Sequence, residues 1–187
     1  MLAPSEPIKT ERLILRAHRI EDIDEMYAMW SDPAVTHYIG GKTFSREEVW
    51  ARLLRYAGTW TLLGYGFWVI REVASGDFVG EVGFHSLRRD IVPPFGDRPE
   101  LGFALVPRAH GRGFATEAAR AALKWGDLAW GDQETVCMIA PENAPSLRIA
   151  AKLGYSETCR AEYKGAPMIL FARRGAKDAL RQAGLPD

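Results

Sequence analysis

The chain has 187 residues, 47% of them apolar and 26% charged, values that suit one globular domain with a sizeable core. Lysine plus arginine equals aspartate plus glutamate at 24 each, so the formal charge is zero and a nucleic-acid or membrane-surface partner is not expected. The first seven residues lack the cationic and apolar halves of a signal peptide, and no run approaches the ~18 apolar residues of a membrane span, which points to the cytoplasm. Cys137 and Cys159 lie in strand-like stretches and read as free thiols. His18, His37, His85 and His110 form no ligand-spaced pair, so no metal is expected.

In chain order, residues 12–16 alternate as a short strand with Leu13 and Leu15 on one face. Ile23, Met26, Tyr27 and Trp30 fall at helical spacing, and Asp32-Pro33 stops that helix. The stretch through Gly41 reads as a loop. Ser45 and Glu48 have capping-box spacing, followed by a stripe of Val49, Leu53, Tyr56 and Trp60. Residues 67–73 and 78–85 are extended and joined by a turn, so they should form an antiparallel hairpin. Gly80 and Gly83 within it suggest a bulge or a close backbone approach. Residues 86–99 are polar and proline-rich, which predicts an exposed loop. A strand over 100–106, a helix over 115–125 and a strand over 135–140 make a β-α-β unit with parallel strands. Asn143 caps a helix that Gly154 ends, and two extended runs follow, the last over 168–172. The expected fold is α/β: a mixed, mostly antiparallel central sheet with one parallel β-α-β crossover and helices on both faces. It should form a single domain over 8–174, with a polar, alanine-rich tail over 175–187 that reads as a loose terminal helix.

The chemistry concentrates where the strand Glu100-Leu101-Gly102-Phe103-Ala104-Leu105-Val106 runs through His110-Gly111-Arg112-Gly113 into a helix opening Phe114-Ala115-Thr116-Glu117-Ala118. A helix start presents unpaired N–H groups and the positive end of the dipole, and Gly111 and Gly113 leave room for a diphosphate. Arg112 adds charge. Against a dinucleotide fingerprint, Thr116 replaces the third small residue and Glu142 lies too far along for the ribose acid. A tight strand-to-helix turn with no ligand is the other reading.

The region resembles the GNAT N-acetyltransferase superfamily. His110-x-x-Gly113-x-Ala115 is similar to its Gln/Arg-x-x-Gly-x-Gly/Ala coenzyme A motif, with His110 in place of the usual Gln or Arg. The run from Gly111 to Ala118 resembles the RimJ/RimL-like ribosomal-protein acetyltransferases, as do Thr10-Glu11-Arg12-Leu13-Ile14-Leu15-Arg16, Asn143-x-x-Ser146 and Lys152-Leu153-Gly154-Tyr155. The resemblance implies acetyl-CoA as co-substrate, its pyrophosphate on the amides of Gly111, Arg112, Gly113, Phe114, Ala115 and Thr116. It also implies a pantetheine arm lying along Phe103, Leu105 and Val106 like an added strand. Asn143 would touch the arm, or serve only as a helix cap. Glu100 stands where many relatives place a general base, its alternative being a solvated carboxylate. Ala150 replaces a tyrosine that serves many relatives as general acid, so Ser146 is the candidate, or an ordinary first-turn serine. Acceptor choice would fall to residues 33–43, 88–99 and 164–167, with Tyr38, Trp68 and Phe84 as candidate pocket walls. The implied activity is transfer of acetyl to a primary amine, a protein N-terminal α-amine or a small molecule, by a monomer or homodimer. A non-catalytic coenzyme A-binding or sensing module is the alternative.

Overall fold

Ser45 and Glu48 close a reciprocal cap: the Ser45 hydroxyl accepts the Glu48 N–H at 3.2 Å, and the Glu48 carboxylate accepts the Ser45 N–H at 2.7 Å. That cap starts an 18-residue helix in the computed structural model, which describes residues 6–175. The chain reads β1 (Ile8–Lys9), β2 (Leu13–Arg16), α1 (Ile23–Trp30), α2 (Pro33–Thr36), α3 (Arg46–Leu63), β3 (Phe67–Glu72), β4 (Phe78–His85) and β5 (Glu100–Leu105). It continues with α4 (Phe114–Trp130), β6 (Thr135–Ile139), α5 (Ala144–Lys152), β7 (Ser156–Tyr163) and β8 (Ala166–Arg173). Strands are hydrogen-bonded in the order β1-β2-β3-β4-β5-β6-β8-β7. Pairing is parallel between β5 and β6, and antiparallel for β1–β2, β2–β3, β3–β4, β6–β8 and β7–β8. This is the mixed, mostly antiparallel arrangement with one parallel crossover that the sequence predicts. The chain divides into two compact units, one of residues 6–85 and 102–119, the other of residues 86–101 and 120–175. The proposed tail helix lies outside the described residues.

In the first unit, the predicted stripe of α3 is buried, from Val49 through Leu53 and Tyr56 to Trp60, and Gly64 ends the helix at a φ of 74°. Helix α2 was not expected, because Asp32-Pro33 reads as a stop. The same pair is a helix start: Asp32 accepts the Ala34 N–H at 2.8 Å and Pro33 occupies the first turn. Gly80 and Gly83 mark close backbone approaches. A Cβ on Gly80 would lie 2.2 Å from the Ala104 carbonyl oxygen, and one on Gly83 would lie 2.3 Å from that of Gly66. Trp68 and Phe84 are fully buried, which removes both from any pocket wall; Tyr38 is exposed.

Two buried carboxylates organise this unit. Glu81, on β4, accepts the Trp30 indole N–H at 2.9 Å and faces His18 Nε2 at 3.0 Å and the Tyr56 hydroxyl at 3.4 Å. Burial, with the Glu81 charge beside it, pushes the Tyr56 phenol up. Asp22 is bracketed by Arg16, Arg71 at 2.9 Å and the Arg19 N–H at 2.7 Å. Burial alone would raise its pKa, but the Arg16 and backbone Arg19 hydrogen bonds, then Arg71, bring it down to about 2.

In the second unit, α4 continues past Gly126 to Trp130, beyond the predicted end at residue 125. A mid-helix glycine costs about 1 kcal/mol. Offsetting contacts come from the Trp125–Trp130 edge-to-face pair and from the Arg173 fork onto Asp127, at 2.9 and 2.7 Å. Residues 86–99 do form a loop, but not a free one. Ile91 and Phe95 are buried against Val136 and Leu170, and Arg98 binds Glu134 at 2.7 Å. Cys137 and Cys159 are free thiols, and burial pushes the Cys137 thiol up.

Because folding holds Asp22 below its unfolded value near ~3.9, its stabilisation is complete above that pH and lost as pH falls through about 2. Asp22→Asn is expected to cost about 2 kcal/mol at neutral pH. Urea denaturation from about pH 7 to pH 2 checks this; a variant losing stability in acid as steeply as the parent would refute it.

Candidate active site

Strand β5 ends at Leu105, and a 3-10 turn, Pro107–Ala109, carries the chain to the start of α4. Three bonds fix this turn. The Val106 N–H donates to the Val79 carbonyl at 3.0 Å, the Arg108 guanidinium to the Phe78 carbonyl at 2.7 Å, and His110 Nε2 to the Leu105 carbonyl at 2.9 Å. His110 therefore does here what its sequence position alone does not disclose: it ties the loop back to the strand. The Leu105 carbonyl and the Val106 N–H, two groups expected along a pantetheine arm, have these partners within the chain.

Gly111 and Gly113 follow at φ 73° and 79°, a region where any side chain is strained. Among the described residues, the N–H groups of Gly111, Arg112, Gly113, Phe114, Ala115 and Thr116 have no internal acceptor. The first such bond runs from the Glu117 N–H to the Gly113 carbonyl at 3.1 Å. Two left-handed glycines thus precede the first turn of a 17-residue helix, the end at which main-chain N–H groups and the helix dipole favour an anion. Arg112 does not bring a free charge to it, because its guanidinium is paired with Glu72, one contact at 3.3 Å.

What holds the loop in place was missed by sequence reasoning. Glu117, in the first turn of α4, accepts from the Thr10 hydroxyl at 2.6 Å, the Arg12 N–H at 3.0 Å and Arg12 Nε at 2.7 Å. Arg12 also donates to the Arg112 carbonyl at 2.9 Å. Its guanidinium lies 4.8 Å from the Phe114 ring centre, and that of Arg112 lies 4.3 Å from it. Burial works against the Glu117 charge, but the bonds from Thr10 and Arg12 outweigh it and hold the carboxyl below the usual range. Thr10 and Arg12 belong to the run whose resemblance to known sequences was noted; the missing signal was the partner, over a hundred residues away.

The second unit carries the other candidates. Glu100 is not a solvated carboxylate: it is 5% exposed and receives a two-pronged bond from Arg89, Nε to Oε2 at 2.7 Å and Nη2 to Oε1 at 2.9 Å. It also pairs in register with β6 at Val136. Asn143 caps α5, its side-chain oxygen accepting the Ser146 N–H at 3.1 Å. That leaves the amide NH₂ as a donor. The Ser146 hydroxyl has no hydrogen-bond partner among the described residues and is half-buried. Tyr155 is a packing residue, with its hydroxyl 2.8 Å from that of Thr135. Phe103, Leu105, Val106 and the loop from Gly111 to Thr116 lie in the first unit, and Glu100, Asn143 and Ser146 in the second.

A family model described as an acetyltransferase (GNAT) domain matches residues 12–156. The chain belongs to the GNAT acetyltransferase family. Over 154 residues it is 27% identical to the protein named "Uncharacterized N-acetyltransferase p20" of Bacillus licheniformis, which spans 81% of this chain and 83% of that one. A solved structure from Bordetella pertussis, assigned to the GnaT acetyltransferases, superposes with a TM-score of 0.80 at 33% identity, covering 90% of this chain and 99% of its own. The same fold recurs in RimL, a ribosomal L7/L12 α-N-protein acetyltransferase solved with coenzyme A, at TM-score 0.76 and 16% identity, over 92% of this chain and 100% of that one. As a GNAT member, the protein is an N-acetyltransferase.

In this N-acetyltransferase the Arg12 fork is specific to a guanidinium. Arg12→Lys is therefore expected to lose about 1–2 kcal/mol, close to the loss for Arg12→Ala. Chemical denaturation measures both; full recovery by lysine would mean that only the charge matters.

Proposed function

We propose that the protein uses acetyl-CoA to acetylate a primary amine, a protein N-terminal α-amine or a small-molecule amine, by direct attack on the thioester. The observation that carries this is the open run of amides from Gly111 to Thr116 at the start of α4. A pyrophosphate would be held there by main-chain N–H groups and the helix dipole, without needing the charge of Arg112. The arm would lie along Phe103, Leu105 and Val106, whose own N–H is already given to Val79, and the family likeness makes the Asn143 amide NH₂ a candidate donor to coenzyme A. The amine nitrogen attacks the carbonyl carbon, the carbon–sulfur bond breaks, and the nitrogen gives up a proton. Glu100 would receive that proton, through water. A backbone N–H near Leu105 would face the oxyanion, and the unpartnered Ser146 hydroxyl would protonate the leaving thiolate. One catalytic domain over 8–174 is the natural frame for this chemistry. The free thiols of Cys137 and Cys159 suit the reducing cytoplasm. A peptide α-amine has the support of the RimL likeness and of the RimJ/RimL-type motif around Gly113.

Acetyl-CoA at 100 times its Kd is expected to stabilise the fold by about 2.7 kcal/mol, NADH not at all. Gly113→Val, strained at φ 79° and crowding the diphosphate path, should weaken acetyl-CoA binding by more than about tenfold while circular dichroism stays native. Retained affinity would contradict this placement of the diphosphate. A thiol-release screen across amines and N-terminal peptides would identify the acceptor; no release with any of them would favour a binding module.

Glu100→Gln is expected to reduce turnover mainly near neutral pH, with partial recovery at high pH where the amine deprotonates unaided. An unchanged pH–rate profile would remove Glu100 as the base.

A further inference from the structure

We infer that Arg89 is the positioning residue that keeps Glu100 ionised and aimed, and that it ties this base mechanically to the 86–99 loop. The inference rests on the proposed acetyl transfer, in which Glu100 accepts the amine proton.

The geometry is that of a built pair, not a surface contact. The Arg89 and Glu100 side chains are 14% and 7% exposed, and the two parallel bonds fix both the distance and the plane of the carboxylate. The guanidinium itself is fixed on two sides. Its carbon lies 4.9 Å from the ring centre of Tyr163 on β7, and its own loop is anchored by buried Ile91 and Phe95 and by the Arg98–Glu134 pair. Cys137, on β6, is a buried thiol whose deprotonation the Glu100 charge opposes, and Tyr163, on β7, is a phenol. Lys164 lies 5.5 Å from the Tyr163 ring.

Burial disfavours the charged form of a carboxylate unless hydrogen bonds or a cation compensate for lost solvation, and a protonated acid cannot serve as base. The Arg89 fork supplies that compensation. The same fork opposes proton uptake, so Glu100 is available over a wide pH range but is a weaker base than an unpaired carboxylate would be. Base strength and base availability are thus set together by one arginine, on a loop proposed to choose the acceptor.

The test is kcat/KM against pH for the full chain with acetyl-CoA and the best amine from the thiol-release screen, in Arg89→Met, Arg89→Lys, Glu100→Gln and the Arg89→Met/Glu100→Gln double variant. Arg89→Met should move the acidic limb up by about one pH unit or more, a roughly tenfold loss below the limb that shrinks above it. Arg89→Lys should move it less. In the Glu100→Gln background, Arg89→Met should change nothing further. A uniform loss at every pH with the limb unmoved would make the pair merely structural and overturn the inference, as would an additive loss in the double variant. Thermal melting establishes that each protein is folded; should Arg89→Met not fold, an unmoved limb in Arg89→Lys overturns it equally. Absence of thiol release by the parent protein would instead strike at the acetyl-transfer proposal itself.

Discussion

Among the described residues, six consecutive main-chain N–H groups from Gly111 to Thr116 have no acceptor within the chain, and much of the local structure frames that run. Gly111 and Gly113 adopt left-handed backbone angles, and the groups on either side are closed off. His110 ties down the strand end, Arg108 and Val106 reach to β4, and Glu117 anchors the first helical turn to Thr10 and Arg12. An unsatisfied donor is tolerable only where water or an anion can reach it, so rigidity around the loop and exposure within it belong to the same solution.

Charge is handled differently in the interior. Asp22, Glu81 and Glu100 are all nearly inaccessible, and each is surrounded by donors. Asp22 has two arginines and a main-chain N–H, while Glu81 relies on an indole, an imidazole nitrogen and a phenol. Glu100 has the planar fork of Arg89. Replacing such groups by apolar ones is often neutral for stability, whereas removing one partner is not. Their presence at strand and helix junctions ties elements that sequence distance would leave independent.

Local signals in the sequence proved legible where the physics is local. Ser45 with Glu48, Gly64 and Gly154 all mark the helix ends they suggest, and the Gly80 and Gly83 approaches were readable because only glycine fits there. Helix α2 was missed because Asp-Pro both ends one helix and begins another. The last turn of α4 lies beyond the predicted end at residue 125, where contacts of Trp130 and Arg173 offset the cost of Gly126. The strand-loop-helix of the candidate site was visible in its glycines. Its supports were not: the Arg12–Glu117 bond spans 105 residues, and no periodicity announces that Arg89 rather than Arg88 will meet Glu100.

The burial of Ile91 and Phe95 has a practical meaning for protein engineers who diversify residues 86–99. Only part of that segment is open to variation. Val92, at 84% exposure, together with the exposed Asp90, can be randomised at little thermodynamic risk. A library that also varies Arg89, Ile91, Phe95 or Arg98 would select first for foldable survivors, and any new preference recovered from it would be confounded with repair of the scaffold.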